Sequence, residues 1–122
     1  MAESRNIVAT ARHYWDAEQT RDVERILAAF HPDAVWTGPS GEVLRGREQI
    51  RRFYESSGAQ YPGLVVEIGR TYSSHDEGAI EWHAELTDLD GSVVLLSGVN
   101  IMSQKDGLIT ALSAYFDGTV FS

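Results

Sequence analysis

Tyr14 and Glu18 are two residues near the start of the chain whose types and spacing suit chemistry. They are four residues apart in a segment whose apolar residues recur at helical spacing, so both side chains fall on one helix face. A phenolic hydroxyl can donate a strong hydrogen bond to a carbonyl or a developing enolate. If this face points into the core, burial raises the pKa of the Glu18 carboxyl and suits it to proton transfer. The competing interpretation is an exposed carboxylate near the end of the helix.

Glu81, His83 and Glu85 are a second candidate set, because carboxylates and a histidine at alternate positions of a strand could hold a metal ion. The same alternation places them opposite the apolar face of that strand. We therefore expect a solvent-facing or interface role, no metal site and no cofactor. The absence of Cys excludes disulfides, thiolate nucleophiles and zinc ribbons.

The composition describes an acidic globular chain. Its 122 residues include 10 Lys plus Arg and 18 Asp plus Glu, for a net charge of −8, which argues against nucleic acid or an anionic membrane as the main partner. The Arg-containing runs 21–25 and 45–52 also contain acidic residues, and we interpret them as helix surfaces. The length predicts one domain spanning residues 1–122. No long apolar run opens the chain, so we expect neither a signal peptide nor a transmembrane helix, and a cytoplasmic location.

Three helices are predicted in the first half of the chain, with Ser4 as the N-cap of the first. The second helix ends at His31-Pro32-Asp33, because proline disfavours helical conformation in the residue before it. A short strand, a Gly-Pro turn and a return strand precede the third helix. The helices are predicted over residues 7–18, 22–30 and 46–58, and the two short strands over residues 34–37 and 42–44.

Four longer strands are predicted in the second half, over residues 64–72, 78–87, 92–103 and 108–116. Their connections have hairpin length and are rich in turn-forming residues, which favours an antiparallel meander. Helices followed by antiparallel strands indicate the α+β class. The strand at 92–103 is apolar on both faces, so both faces are expected to be covered. We predict that helices cover one face and a second copy covers the other, forming a homodimer through the sheet.

The segments 44–54 and 106–116 carry a resemblance to a known family. Leu-Arg-Gly-Arg-Glu-Gln-Ile-Arg-Arg-Phe-Tyr at 44–54 resembles the stretch entering the third helix of bacterial ketosteroid isomerases, and Asp-Gly-Leu-Ile through Ala-Tyr-Phe resembles their last hairpin. The chain therefore resembles the ketosteroid isomerases and SnoaL-like polyketide cyclases. This implies the cone-shaped fold of nuclear transport factor 2, with three N-terminal-half helices packed on a curved, mostly antiparallel sheet.

The resemblance also implies site residues. The tyrosine that donates to the substrate's oxyanion falls on Tyr14, and the late-strand aspartate that assists it falls on Asn100. The general base falls on Gly38, which has no side chain to move a proton. Asn100 can still donate through its amide, although less strongly than a protonated aspartate. Glu18 is then the leading candidate for the proton carrier, ahead of Asp33 and Glu42.

The same resemblance, combined with strand alternation, predicts the walls of an apolar pocket. Trp36 is expected near its mouth with Gly38, and Tyr54 is expected to hydrogen-bond the Tyr14 hydroxyl. Trp82 and Phe116 are expected to line it, although both could simply fill the core. Such a pocket suits a flat apolar ligand with one carbonyl or hydroxyl group.

Two functions are predicted from these residues. The first is an enzyme that holds a hydrophobic carbonyl compound with Tyr14 and Asn100 and promotes isomerisation, cyclisation or dehydration, with Glu18 carrying the proton. Because Gly38 replaces the base, a polyketide- or terpenoid-tailoring reaction ranks above steroid isomerisation. The second is a non-catalytic module that binds a hydrophobic ligand and has lost the reaction.

Overall fold

The computed structural model describes residues 5–121 and contains three α-helices, six β-strands and a short 3₁₀ turn. The helices are α1 (Ile7–Gln19), α2 (Val23–Leu27) and α3 (Gly46–Gln60). The strands are β1 (Phe30–Thr37), β2 (Val43–Arg45), β3 (Gly63–Ser73), β4 (Glu77–Thr87), β5 (Val93–Lys105) and β6 (Leu108–Phe116), and the 3₁₀ turn is Gly118–Phe121. No helix in this part of the chain is long and apolar enough to cross a membrane.

The six strands form one open sheet in the order β2-β1-β6-β5-β4-β3. Four of the five neighbouring pairs are antiparallel, and only β1 with β6 is parallel. The hairpin of β1 and β2 thus joins the sheet through the last strand of the chain. The predicted α+β fold, with helices packed on a mostly antiparallel sheet, is confirmed.

The start of α1 and the end of α2 differ from the predictions. The side chain of Asn6 caps α1 by accepting from the backbone N–H of Ala9, whereas Ser4, the predicted cap, lies outside the described residues. The second helix was predicted to reach Phe30, but it ends at Leu27 and Phe30 begins β1. The backbone N–H of Ile109 donates to the Ala29 carbonyl at 2.9 Å, so pairing with β6 replaces helical hydrogen bonding there.

The prediction that the second helix ends at His31-Pro32-Asp33 is wrong, because these residues lie inside β1. The pairing of β1 with β6 shifts register between Phe30 and Val35. A proline has no N–H to give to a ladder, and an irregular stretch of this kind tolerates it.

The inner face of the sheet follows the predicted alternation. In β4 the buried residues are Ile80, Trp82, Ala84 and Leu86, and in β5 they include Leu96, Asn100 and Met102. The helices cover this face, with Tyr14 and Trp15 of α1 and Ile50 and Tyr54 of α3 all buried. Together the two helices and the sheet surround a cavity.

Candidate active site

A cavity of about 400 Å³ lies between α1, α3 and the inner face of the sheet. It is lined by eight side chains that the sequence singled out: Tyr14, Glu18, Trp36, Glu42, Tyr54, Trp82, Asn100 and Phe116. Phe53, Leu64, Val66, Leu96 and Leu112 add much of the apolar wall. A mainly apolar cavity with a few convergent polar groups is typical of a small-molecule site.

Tyr14 and Tyr54 bring two hydroxyls together at the helical side of the cavity. Their hydroxyls share a hydrogen bond, as the sequence predicted, and both side chains are buried. The Tyr14 ring packs edge-on against Phe30, with centroids 5.6 Å apart and planes at 86°. Burial raises the pKa of both tyrosines well above the ordinary value, and the negative charge of Glu18 raises it further. Both hydroxyls therefore keep their protons near neutral pH.

Glu18 places a carboxylate beside this tyrosine pair. Its side chain is only 15% exposed, so the interpretation of Glu18 as a solvated residue does not hold. Burial raises the pKa of the Glu18 carboxyl, while the Arg21 guanidinium and a hydrogen-bonding interaction with the Tyr14 hydroxyl lower it. Burial is the largest of these effects, and the net direction is upward. A buried carboxyl tuned in this way is suited to proton exchange with a ligand.

Arg21 is a site residue that sequence reasoning missed, because its run was interpreted as a helix surface. Its side chain is 10% exposed, and its Nη1 lies 3.7 Å from Glu18 Oε2. Nε and Nη2 donate to the Tyr61 carbonyl at 3.0 and 2.8 Å, which ties the turn after α1 to the end of α3. Arg21 has a positive φ of 60°. Its contact with Glu18 is local, whereas its bonds to Tyr61 join residues 40 apart in sequence.

Asn100 and Trp82 provide the polar group on the sheet side of the cavity. The Trp82 indole N–H donates to Asn100 Oδ1 at 2.9 Å. Both residues are almost fully buried: Trp82 is 6% exposed and Asn100 is 4% exposed. Tyr14 on α1 and Asn100 on β5 therefore line the same cavity.

At the turn where the resemblance places the general base on Gly38, the acidic residue that lines the cavity is Glu42. Gly38 is buried but does not line the cavity, whereas Glu42 does. A Cβ on Gly38 would lie only 2.7 Å from Glu42 Oε2, so this carboxylate occupies the space next to the glycine. The Ser40 N–H donates to the same oxygen at 3.0 Å. Asp33 is exposed and outside the cavity, so it is removed from the candidate proton carriers.

Glu81, His83 and Glu85 lie on the outer face of the sheet, as the alternation predicted. Glu81 pairs with Arg70 at 3.4 Å, and His83 Nδ1 is 2.8 Å from the Ser97 hydroxyl. Within residues 5–121, no group of three or more His, Asp or Glu side chains is arranged to hold a metal ion.

The raised pKa of Glu18 predicts how stability depends on pH. The folded state holds the Glu18 proton more tightly than the unfolded state, and this tighter binding stabilises the fold. The stabilisation is fully present below the ordinary glutamate pKa and is lost as pH rises through the pKa of Glu18 in the folded state. A Glu18→Gln variant lacks this loss. We expect its unfolding free energy, relative to the wild type, to increase over that pH window and then level off.

Urea unfolding at a series of pH values measures this difference. Parallel stability curves for the two proteins across the window would show that Glu18 has the same pKa in both states and would contradict the prediction.

The family model of the SnoaL-like domain matches residues 11–112 of the chain. A Δ5-3-ketosteroid isomerase from a Mycobacterium species has 30% sequence identity and a TM-score of 0.80, over 93% of this chain and 95% of that one. TerC, crystallised with polyporic acid, has 23% identity and a TM-score of 0.80, over 93% of each chain. An epoxide hydrolase of Mycobacterium tuberculosis has 21% identity and a TM-score of 0.78, over 90% of this chain and 81% of that one. No curated protein sequence gives a significant match.

Proposed function

Because the chain belongs to the SnoaL-like family, we propose that it is an enzyme that moves a proton on a hydrophobic carbonyl compound without a cofactor. The products would be those of isomerisation or cyclisation. One observation carries the proposal: a buried carboxyl, a neutral hydroxyl pair and an amide line the same mainly apolar cavity. A site of this composition can remove a proton from carbon and stabilise the charge that forms on oxygen.

Binding would divide the ligand between two kinds of surface. Trp36, Trp82 and Phe116 contact its flat apolar part, while Tyr14 and Asn100 donate to its carbonyl oxygen. The low polarity of the walls strengthens both hydrogen bonds, because little water competes for them.

Glu18 would carry the proton. The C–H bond next to the carbonyl breaks, the proton goes to a Glu18 oxygen, and the electron pair forms an enolate whose charge rests on the ligand oxygen. Return of the proton to a different carbon gives an isomer. Attack of the enolate carbon on a second carbonyl of the same molecule closes a ring instead, and Glu18 returns its proton to the alkoxide oxygen that this attack forms.

The contact between Glu18 and Tyr14 couples the two halves of this step. Before the reaction the ionised carboxylate can only accept, so it competes with the ligand for the Tyr14 hydrogen. Once Glu18 is protonated that competition weakens, and the Tyr14 hydroxyl is released to the oxygen as its charge grows. Tyr14 would therefore bind the enolate more strongly than the ketone, which is what catalysis requires.

Exchange of carbon-bound hydrogen for deuterium tests the proposal without knowledge of the natural substrate. A Δ5-3-ketosteroid and 2-acetylnaphthalene are incubated with the protein in D₂O, and loss of the signal from hydrogens next to the carbonyl is followed by NMR. We expect protein-dependent exchange of at least one of the two. Binding of both ketones with no exchange above buffer would contradict proton transfer.

A non-catalytic hydrophobic-ligand module is the alternative, and Gly38 is the residue that favours it, because it has no side chain to act as a base. A phenolic mimic of the enolate distinguishes the two functions. An oxyanion site binds the phenol more tightly than its hydroxyl-free analogue, and Tyr14→Phe removes the difference. A simple binding module holds both equally in both proteins.

We also propose that the outer face of the sheet pairs with a second copy of the chain. Its apolar residues Leu95 and Ile101 on β5 and Tyr115 on the neighbouring β6 are exposed on this face, as is Val65 on β3, with Glu85 of β4 between Val65 and Leu95. An apolar patch shared by neighbouring strands marks an interaction surface, and a two-fold contact matches the patch with itself.

Leu95→Lys is therefore expected to convert a dimer into a monomer, because it places a charge within the apolar patch. Sedimentation equilibrium measures the mass. Leu89→Lys is the matched control, since Leu89 is exposed in the turn between β4 and β5 and should leave the dimer intact. A wild-type protein that sediments as a monomer at high concentration would overturn this assignment.

A further inference from the structure

Trp82 does more in the fold than form a wall of the cavity, because its indole N–H is bonded to Asn100. The distance from Nε1 to Asn100 Oδ1 is 2.9 Å, and both residues are almost completely buried. An indole N–H can only donate, and of the two polar atoms of an amide only the oxygen can accept. This contact therefore determines which way the Asn100 amide is turned.

The amide nitrogen of Asn100 remains available once the oxygen is engaged. Within residues 5–121, no hydrogen bond joins Nδ2 to an acceptor, although the side chain lines the cavity. If the amide were turned over, Nδ2 would face the indole N–H, and two buried donors would be left without acceptors. A buried donor without an acceptor is destabilising, so the observed orientation is strongly preferred.

Gly98 and Phe116 hold the indole in the place where it reaches Asn100. Gly98 is directly opposite Trp82 in the pairing of β4 with β5. A Cβ on Gly98 would lie 2.6 Å from Trp82 Cζ2, so the absence of a side chain leaves the room that the indole occupies. Phe116 packs against the indole with ring centroids 5.9 Å apart. Three neighbouring strands thus position a single N–H group.

We infer that Trp82 is a positioning residue that turns the Asn100 amide so that its two N–H hydrogens, rather than its oxygen, face the cavity. The cavity then selects ligands that present an acceptor oxygen at this wall, such as a ketone, over ligands of the same shape that do not. This deepens the proposed function and rests on its carbonyl site, but it concerns ligand recognition and does not require proton transfer.

The first experiment measures the Asn100 side chain in the ligand-free protein. The ¹⁵N order parameter of its NH₂ group is compared in the wild type, Trp82→Phe and Phe116→Leu. Trp82→Phe keeps an aromatic ring but removes the N–H, whereas Phe116→Leu disturbs the ring packing and keeps the N–H. Because Phe116 only supports the indole, we expect the order parameter to fall much more in Trp82→Phe than in Phe116→Leu. An unchanged value in Trp82→Phe, or an equal fall in both variants, would overturn the inference.

The second experiment measures selectivity with 2-acetylnaphthalene and 2-isopropenylnaphthalene, which differ in having an oxygen or a CH₂ group at the same place. Calorimetric Kd values give the preference for the ketone. We expect Trp82→Phe to reduce this preference about three- to tenfold, the range of one ordinary hydrogen bond. In an Asn100→Leu background the same substitution should change nothing further.

An equal reduction in the Asn100→Leu background would mean that Trp82 acts through the cavity shape, and the inference would fail. These results are independent of the deuterium-exchange assay. If exchange is absent but the order parameter and the selectivity respond as expected, the proton-transfer proposal fails and the role of Trp82 stands.

Discussion

Glu18→Gln is expected to lower the rate of deuterium exchange about 100- to 10,000-fold, the usual contribution of a positioned acid or base. Glutamine has nearly the same shape and can still interact with Tyr14 and Arg21, but it cannot take a proton from carbon. The ionised form of Glu18 is the active base, and its pKa is raised by burial. The wild-type rate should therefore increase with pH through a midpoint above the ordinary glutamate range.

Glu42→Gln is the matched control for this experiment. It makes the same chemical change in the other glutamate that lines the cavity, whose carboxylate is held by the Ser40 N–H in the turn. If Glu42→Gln abolished exchange while Glu18→Gln retained it, the proton carrier would be assigned to the turn, and the proposed role of Glu18 would be wrong.

Tyr14→Phe is expected to lower the same rate about 100- to 1,000-fold, as the loss of one oxyanion donor does. The substitution also removes the hydroxyl that interacts with both Tyr54 and Glu18. Because that interaction lowers the pKa of Glu18, its loss should move the midpoint of the pH profile to a higher value. A loss of rate with no shift would separate the two effects and show that Tyr14 does not influence Glu18.

Measuring kcat and KM separately for Tyr14→Phe shows whether the hydroxyl acts on the ketone, the enolate or both. A donor that acts mainly on the enolate lowers kcat, whereas a donor that binds ketone and enolate equally raises KM. Tyr54→Phe is an informative comparison, because it leaves the Tyr14 hydroxyl in place and removes its hydrogen-bond partner. We expect it to reduce the rate less than Tyr14→Phe does.

Local patterns were sufficient to predict most of the fold. The two-residue period in β4 predicted which side chains point inward, and hairpin-length connections predicted the neighbours of β4 and β5. The stretch from Ala28 to Asp33 was misread because its conformation depends on β6, about 80 residues away in sequence. Local propensity cannot detect a strand whose partner is that distant.

The site was predictable to the extent that it follows from a single element. Tyr14 and Glu18 share a helix face, so the burial of one implied that of the other. Arg21 escaped prediction because its bonds to Tyr61, 40 residues away, form only after α1 and α3 have packed, although its contact with Glu18 joins residues three apart. The bond between Trp82 and Asn100 likewise joins residues on adjacent strands, diagonal to each other in the register.

The parallel pairing of β1 with β6 has a consequence for the order of assembly. Because β6 separates the β1–β2 hairpin from the rest of the sheet, the hairpin cannot pair with the sheet until β6 is available. During synthesis on the ribosome, the wall that carries Trp36 would therefore be added last. Contacts between distant parts of a chain are slow to form, so the closure of the hollow should follow the meander in time.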